Sequence, residues 1–440
     1  MRKRTLAMLL CLVMVSCLGA GYTGAEGDGG ALSGKIVVGG WPAGDDAFKA
    51  IIPGFNELYP GIEVELVFQQ GSDYNQMLQT SISSGFGAPD VAMLEQAWVG
   101  RYKDSPGFEN LLEEPYFAES MKDDFVEFKW NLALSTDKTR LVGLVWDIGP
   151  ATMFYRRDVF ADAGLPTEPD EIETLMSTWD GVLQVAEAVH IPGERWLVAR
   201  AESLYMWYFL NRPFYDDKLN FSLDVPGAKE ALEAAITMRK NGWDAQIVDT
   251  WNETNAALDA GKLAMNVAGC WYGGFLKNFI SPDTSGLWGV ARLPGGIPDS
   301  NNGGSYVGIP TQSQVKDQAW AFIKYSMATN EGQNGMFKAV DYFPGFIPSW
   351  ADPMYDEADD YFGGQKARAL WVDISQNVQT TYSTLMDAAV EDILNNEVNS
   401  GLNQGLSADD IIERLYKAVE EGTKQDYERN LELLQDAGLM

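Results

Sequence analysis

Between Lys35 and Leu94 short apolar segments alternate with amphipathic ones, and this alternation restricts the fold more than any other feature of the chain. Residues 35–40 read as a β-rich segment that ends in a loop, 41–46. Phe48, Ile51, Ile52, Phe55 and Leu58 recur at helical spacing, which predicts a helix over 47–59. Pro60-Gly61 stops it, and 62–68 alternates like a strand. A second helix over 74–83 leads through 85–89 to a strand over 90–94. Strand, helix, strand, helix, strand is the grammar of a doubly wound α/β lobe, in which ligands meet the loops at the carboxyl ends of strands. Here those loops hold Trp41, Asp45 and Asp46 after the first strand, and Glu95, Gln96 and Trp98 after the third.

A second unit begins near Val145. Thr178 is placed to cap a helix over 181–189, and 228–241 reads as a further helix ended by Gly242. Trp320 sits at helical spacing among Ala319, Ala321, Phe322 and Ile323, which suits a core position. Two lobes joined by crossing strands would leave a cleft between them.

The N-terminus adds a destination. Met1-Arg2-Lys3-Arg4 is basic, 6–15 is an apolar run too short to span a bilayer, and Ser16, Gly19 and Ala20 follow. That is the order of a secretory signal. Met14-Val15-Ser16-Cys17 resembles a lipobox, which makes Cys17 the expected lipidated residue, with cleavage after Ala25 as the alternative. The Gly-rich stretch up to residue 34 reads as a flexible tether. Localisation is therefore expected outside the cytoplasm, in a periplasm or on the outer face of the membrane, held by an N-terminal lipid.

Composition narrows the function. With 63 acidic against 32 basic residues and a formal charge of -31, the chain is a poor partner for nucleic acid, whose phosphates need a basic surface. The same charge disfavours docking onto anionic lipid. His190 is the only histidine, and Cys270 the only cysteine beyond the signal region. A His/Cys zinc site and a His-based triad lose their ligands, so no metal and no cofactor is expected.

Five segments, in order along the mature chain, resemble the family of extracellular solute-binding proteins that serve ABC sugar importers (solute-binding protein family 1, maltose-binding-protein-like). They are residues 55–64, the turn and strand at 85–91, the 154–166 segment, 258–271, and 293–310 with the helix containing Trp320. The resemblance implies a periplasmic-binding-protein-like (class II) fold: two doubly wound α/β lobes, a hinge and an interlobe cleft that closes on its ligand. It implies lobe one at 35–145 plus 272–328 and lobe two at 146–271 plus 329–440. Partners would be a carbohydrate and the permease subunits of an ABC importer, with the chain itself a monomer and no enzyme.

Sugars present hydroxyls that need hydrogen-bond partners and C–H faces that suit aromatic rings. Trp271 falls on the family's Gly-x-Trp element, where the resemblance implies a sugar-stacking ring. Trp41, Asp45, Asp46, Glu95 and Gln96 are candidates from their loops, and Asp147 from the first crossing. Glu202 and Trp207, in an aromatic segment of the second lobe, and Tyr306, with 343–346, are further candidates for the cleft. Carboxylates and tryptophans would also suit an exported glycan-cleaving enzyme. As an alternative, the same fold could hold a non-sugar solute such as a polyamine, a metal chelate or a phosphodiester.

Overall fold

The computed structural model describes residues 32–249, 251–379 and 383–440. The signal segment, its Cys17 and most of the tether lie outside these residues. Strand β1 (Gly34–Gly40), helix α1 (Pro42–Leu58), strand β2 (Ile62–Phe68), helix α2 (Gly71–Ser84) and strand β3 (Val91–Glu95) follow one another as the alternation predicts. Helix α1 starts ahead of its apolar periodicity, at Pro42, because proline loses no hydrogen bond at a first helical position. Its apolar stripe, Phe48, Ile51 and Phe55, is buried.

β1 pairs in parallel with β2 and with β3. Parallel neighbours need crossovers, and α1 and α2 supply them. Four further strands follow: β4 (Leu144–Arg156), β5 (Met265–Gly269), β6 (Trp288–Ala291) and β7 (Asn301–Gly308). The sheet order is β2-β1-β3-β7-β4-β5, with β6 also on β4. β4 is buried along its whole length and does two jobs. Residues 144–150 pair antiparallel with β7, while 151–156 pair antiparallel with β5 and β6. Register shifts fall between Val145 and Asp147 and between Ile148 and Pro150. Such irregularities bend a strand and re-aim its side chains. The bend comes where the chain passes from one half of the molecule to the other.

Buried apolar side chains form two clusters. The first is built on β1, β2, β3, β7 and the start of β4, and takes in residues from Met336 to Trp371. The second gathers the end of β4, the helices between 157 and 241, and residues from Met386 to Leu434. The result is a two-lobed α/β fold. In the second lobe, Thr178 Oγ1 accepts from the Gly181 amide at 3.2 Å and caps the helix Trp179–Val189, a contact worth about 1 kcal/mol. The helix Ala228–Asn241 ends at Gly242 in the left-handed conformation. Trp320 is buried in the first cluster, as its spacing suggests.

Candidate ligand-binding cleft

A cavity of about 1030 Å³ opens between the two halves, at the carboxyl ends of β1 and β3 and beside the irregular part of β4. Trp41, Asp46, Glu95, Asp147 and Trp271 all line it, so five of the ten residues expected at the ligand come together on one wall system. Gln70, Trp98, Trp251, Asn302 and Tyr342 join them.

Backbone packing explains why Trp41 stands where it does. At Gly40 an added Cβ would lie 2.0 Å from Met93 Sδ, so the β1-to-α1 turn can press against β3 only because glycine occupies that position. The turn then presents Trp41, whose ring meets Trp98 edge-on at 6.0 Å and Tyr74 at 6.2 Å. On the far wall Trp271 follows β5. Its Nε1 donates to the Asn302 carbonyl at 2.9 Å, and its ring meets Tyr272 and Phe275 edge-on at 6.1 and 6.0 Å. A Cβ on Gly269 would come within 2.4 Å of that nitrogen, so glycine is what lets the indole lie against the strand.

The floor between the walls is ionic. Lys129, on the helix Glu127–Leu132, is fully buried; its Nζ donates to Gln96 Oε1 at 2.7 Å and to the Gly303 carbonyl at 2.8 Å. The ammonium also lies 4.7 Å from the centre of the Tyr306 ring. Burial pushes the Lys129 pKa well down, opposed by the fields of Asp147 and Glu95. Burial likewise pushes Asp147 up, against the pull of Lys129 and of the hydrogen bond it accepts from the Ser305 hydroxyl. Glu95 is raised by burial too, with Lys129 opposing. Among the described residues the side chains of Glu95, Gln70 and Asn302 have no hydrogen-bond partner, which leaves acceptors and donors free to meet a polar ligand. Among the described residues no arginine, lysine or histidine is part of the wall.

The remaining expected residues sit elsewhere. Asp45 turns to an ion pair with Lys49, one helical turn on, at 2.5 Å. Gln96 lies under the floor, accepting from Lys129 and from Asn301 Nδ2 at 3.1 Å; it lines a smaller neighbouring cavity of about 240 Å³. Glu202 is 1% exposed and paired with Arg239 Nη2 at 2.9 Å, away from the cavity. Trp207 packs in the second cluster, and Tyr306 is buried with its hydroxyl donating to the Lys129 carbonyl at 3.0 Å. For Gln96, Glu202, Trp207 and Tyr306 tertiary packing, invisible in the local sequence, takes the side chain inward, whereas Asp45 is held by a local pair on the helix surface. Tyr342 lines the cavity, whereas the neighbouring Phe343 is fully buried. Trp251, Phe275 and Phe279 escaped the sequence reading because aromatic residues in helical stretches look like core; the four-residue spacing of Trp271, Phe275 and Phe279 was the available signal.

Two α/β lobes enclosing an aromatic-walled cleft, with free polar groups at its floor, define a binding protein that grips a solute between lobes. The chain belongs to the bacterial extracellular solute-binding proteins, whose family model matches residues 50–362. The lactose-binding protein of Rhizobium radiobacter is 24% identical over 370 residues, covering 76% of this chain and 80% of its own. The arabinooligosaccharide-binding protein of Bacillus subtilis is 23% identical over 426 residues, covering 90% and 94%. Among solved structures, an extracellular solute-binding protein of family 1 superposes with a TM-score of 0.75 at 20% identity, over 89% of this chain and 99% of that one. The ABC transporter associated binding protein from B. animalis subsp. lactis, in complex with beta-1,6-galactobiose, gives a TM-score of 0.71 at 22% identity, over 90% and 99%.

Proposed function

We propose that this protein captures an uncharged oligosaccharide in the interlobe cavity and hands it to the permease of an ABC importer. One observation supports this most: Trp41 and Trp271 line a single large cavity together with the free side chains of Glu95, Gln70 and Asn302. Aromatic faces suit sugar C–H surfaces, and free acceptors and amides suit hydroxyls. The relatives named for lactose and arabinooligosaccharide binding, and the structural neighbour holding a galactobiose, favour the same class of ligand.

In this reading Trp41, Asp46, Glu95, Asp147 and Trp271 contact the ligand, and the chain binds without altering it. The lobes, near 35–145 plus 272–328 and 146–271 plus 329–440, hinge about the crossing strands. Closure follows only from contacts that the closed form adds. Lipidation at Cys17 would hold a monomer at the membrane; no helix among the described residues is long and apolar enough to cross one. A thermal-shift panel of neutral oligosaccharides, polyamines and iron chelates tests the proposal. A rise in melting temperature with a neutral oligosaccharide alone is expected, whereas a rise only with amines or chelates overturns it.

A further inference from the structure

Beyond the end of β5 one wall of the cavity continues outward as a connected series of aromatic rings. Trp271 lies deepest. Phe275 meets it edge-on at 6.0 Å, Trp251 meets Phe275 edge-on at 5.3 Å, and Phe279 follows Phe275 at 5.9 Å. All four line the same cavity. Exposure rises along the series: Trp271 and Phe275 are half-buried, Trp251 is 43% exposed and Phe279 is 72% exposed.

Phe279 does not stand alone: with Trp251 and Phe275 it forms a contiguous exposed aromatic patch at the cavity mouth, and patches of this kind mark binding sites. Its backbone points to the same conclusion. Residues Leu276–Ile280 form a π-helical turn, a rare conformation that recurs at functional positions. The cavity volume of about 1030 Å³ also reaches the upper end of the range of roughly 300–1,000 Å³ that drug-sized ligands fill. A monosaccharide would leave the outer rings unused.

We propose that Trp251 and Phe279 form an outer subsite for the distal units of a linear oligosaccharide, so that the protein prefers chains longer than a disaccharide. This rests on the carbohydrate reading above. The sugar at the reducing or non-reducing end would sit against Trp271 and Trp41, and later units would run along the aromatic series toward the mouth.

Calorimetric titration with α-1,5-arabino-oligosaccharides and β-galacto-oligosaccharides of two to five units tests it, using wild type, Phe279→Ala and Trp251→Ala. In a series that binds, wild-type affinity should rise between the disaccharide and the tetrasaccharide. Phe279→Ala should lose roughly three- to tenfold for the tetrasaccharide, the scale of one aromatic contact, while disaccharide affinity stays within about twofold. Phe279 is exposed, so an unchanged melting temperature should confirm that the variant folds. Wild-type affinity independent of length, or an equal loss at every length, overturns the outer subsite and leaves the sugar-binding reading intact. Failure of every saccharide to bind the wild type overturns both.

Discussion

Replacing Trp271 separates the two things its indole does. The ring offers a face to the cavity, and Nε1 donates to the Asn302 carbonyl at 2.9 Å. An aromatic contact of this kind is worth about 0.5–1.5 kcal/mol, and the net value of the hydrogen bond is about the same. Trp271→Ala loses both, so the ligand should bind about 1–3 kcal/mol more weakly, roughly 5- to 160-fold in Kd. Trp271→Phe keeps a ring face but cannot donate, and should lose only about 1 kcal/mol. Asn302 borders the cavity, so water can take over its freed carbonyl and no buried acceptor is stranded. Isothermal titration calorimetry with the tightest-binding neutral oligosaccharide gives both values, with denaturant melts confirming folded protein. Equal affinity for wild type and a folded Trp271→Ala would refute the stacking role. A phenylalanine variant as weak as the alanine would assign the whole effect to the positioning hydrogen bond.

Other expectations follow from the same structure. Arg239 donates to Glu202 Oε2 and Asp244 Oδ2 at 2.9 Å each, and both carboxylates are buried; Arg239→Met should lower the unfolding free energy by about 3–5 kcal/mol in urea melts while leaving sugar affinity of the folded protein unchanged. Asp147 is raised by burial from 3.8 to about 6, so its contribution to stability is whole below about pH 4 and is lost as pH rises through about 6. Lys129 is lowered by burial from 10.5 to about 7, so its contribution is whole above about pH 10.5 and is lost as pH falls through about 7. Chemical melts of Asp147→Asn against wild type should therefore show the variant losing less stability between pH 4 and 6; parallel profiles would contradict the buried carboxylate. The wall acids Asp46, Glu95, Asp147 and Asp259 face the cavity with no basic side chain among them, so digalacturonate should bind at least about tenfold more weakly than neutral galactobiose, with competition calorimetry as the readout.

Much of the first lobe was legible in the sequence because its strands and helices obey local periodicity. Phe48, Ile51 and Phe55 announce α1, and Thr178 and Gly242 mark helix ends whose chemistry is also local. Trp41, Glu95 and Asp147 were legible as cavity residues for a topological reason: they stand at or just past the carboxyl ends of parallel strands, or at a crossing. Glu202, Trp207 and Tyr306 were not, because their burial depends on distant partners. Arg239 draws Glu202 inward from another helix, and the Lys129 carbonyl, on the helix Glu127–Leu132, holds the Tyr306 hydroxyl of β7. Lys129 itself gave no sign of being buried under the cavity floor, since its helical neighbours resemble an ordinary amphipathic turn. Phe279 was hidden for the opposite reason: an exposed ring in an apolar helix reads as core until the structure shows which way it faces.

The most direct measurement is a titration of the exported protein with the neutral oligosaccharide that raises its melting temperature most, followed by chromatography of the saccharide recovered from the same cell. Saturable heat at one ligand per chain, with the saccharide returned intact, is the predicted result. Cleaved saccharide, or no saturable heat from any neutral saccharide, would contradict capture without chemistry.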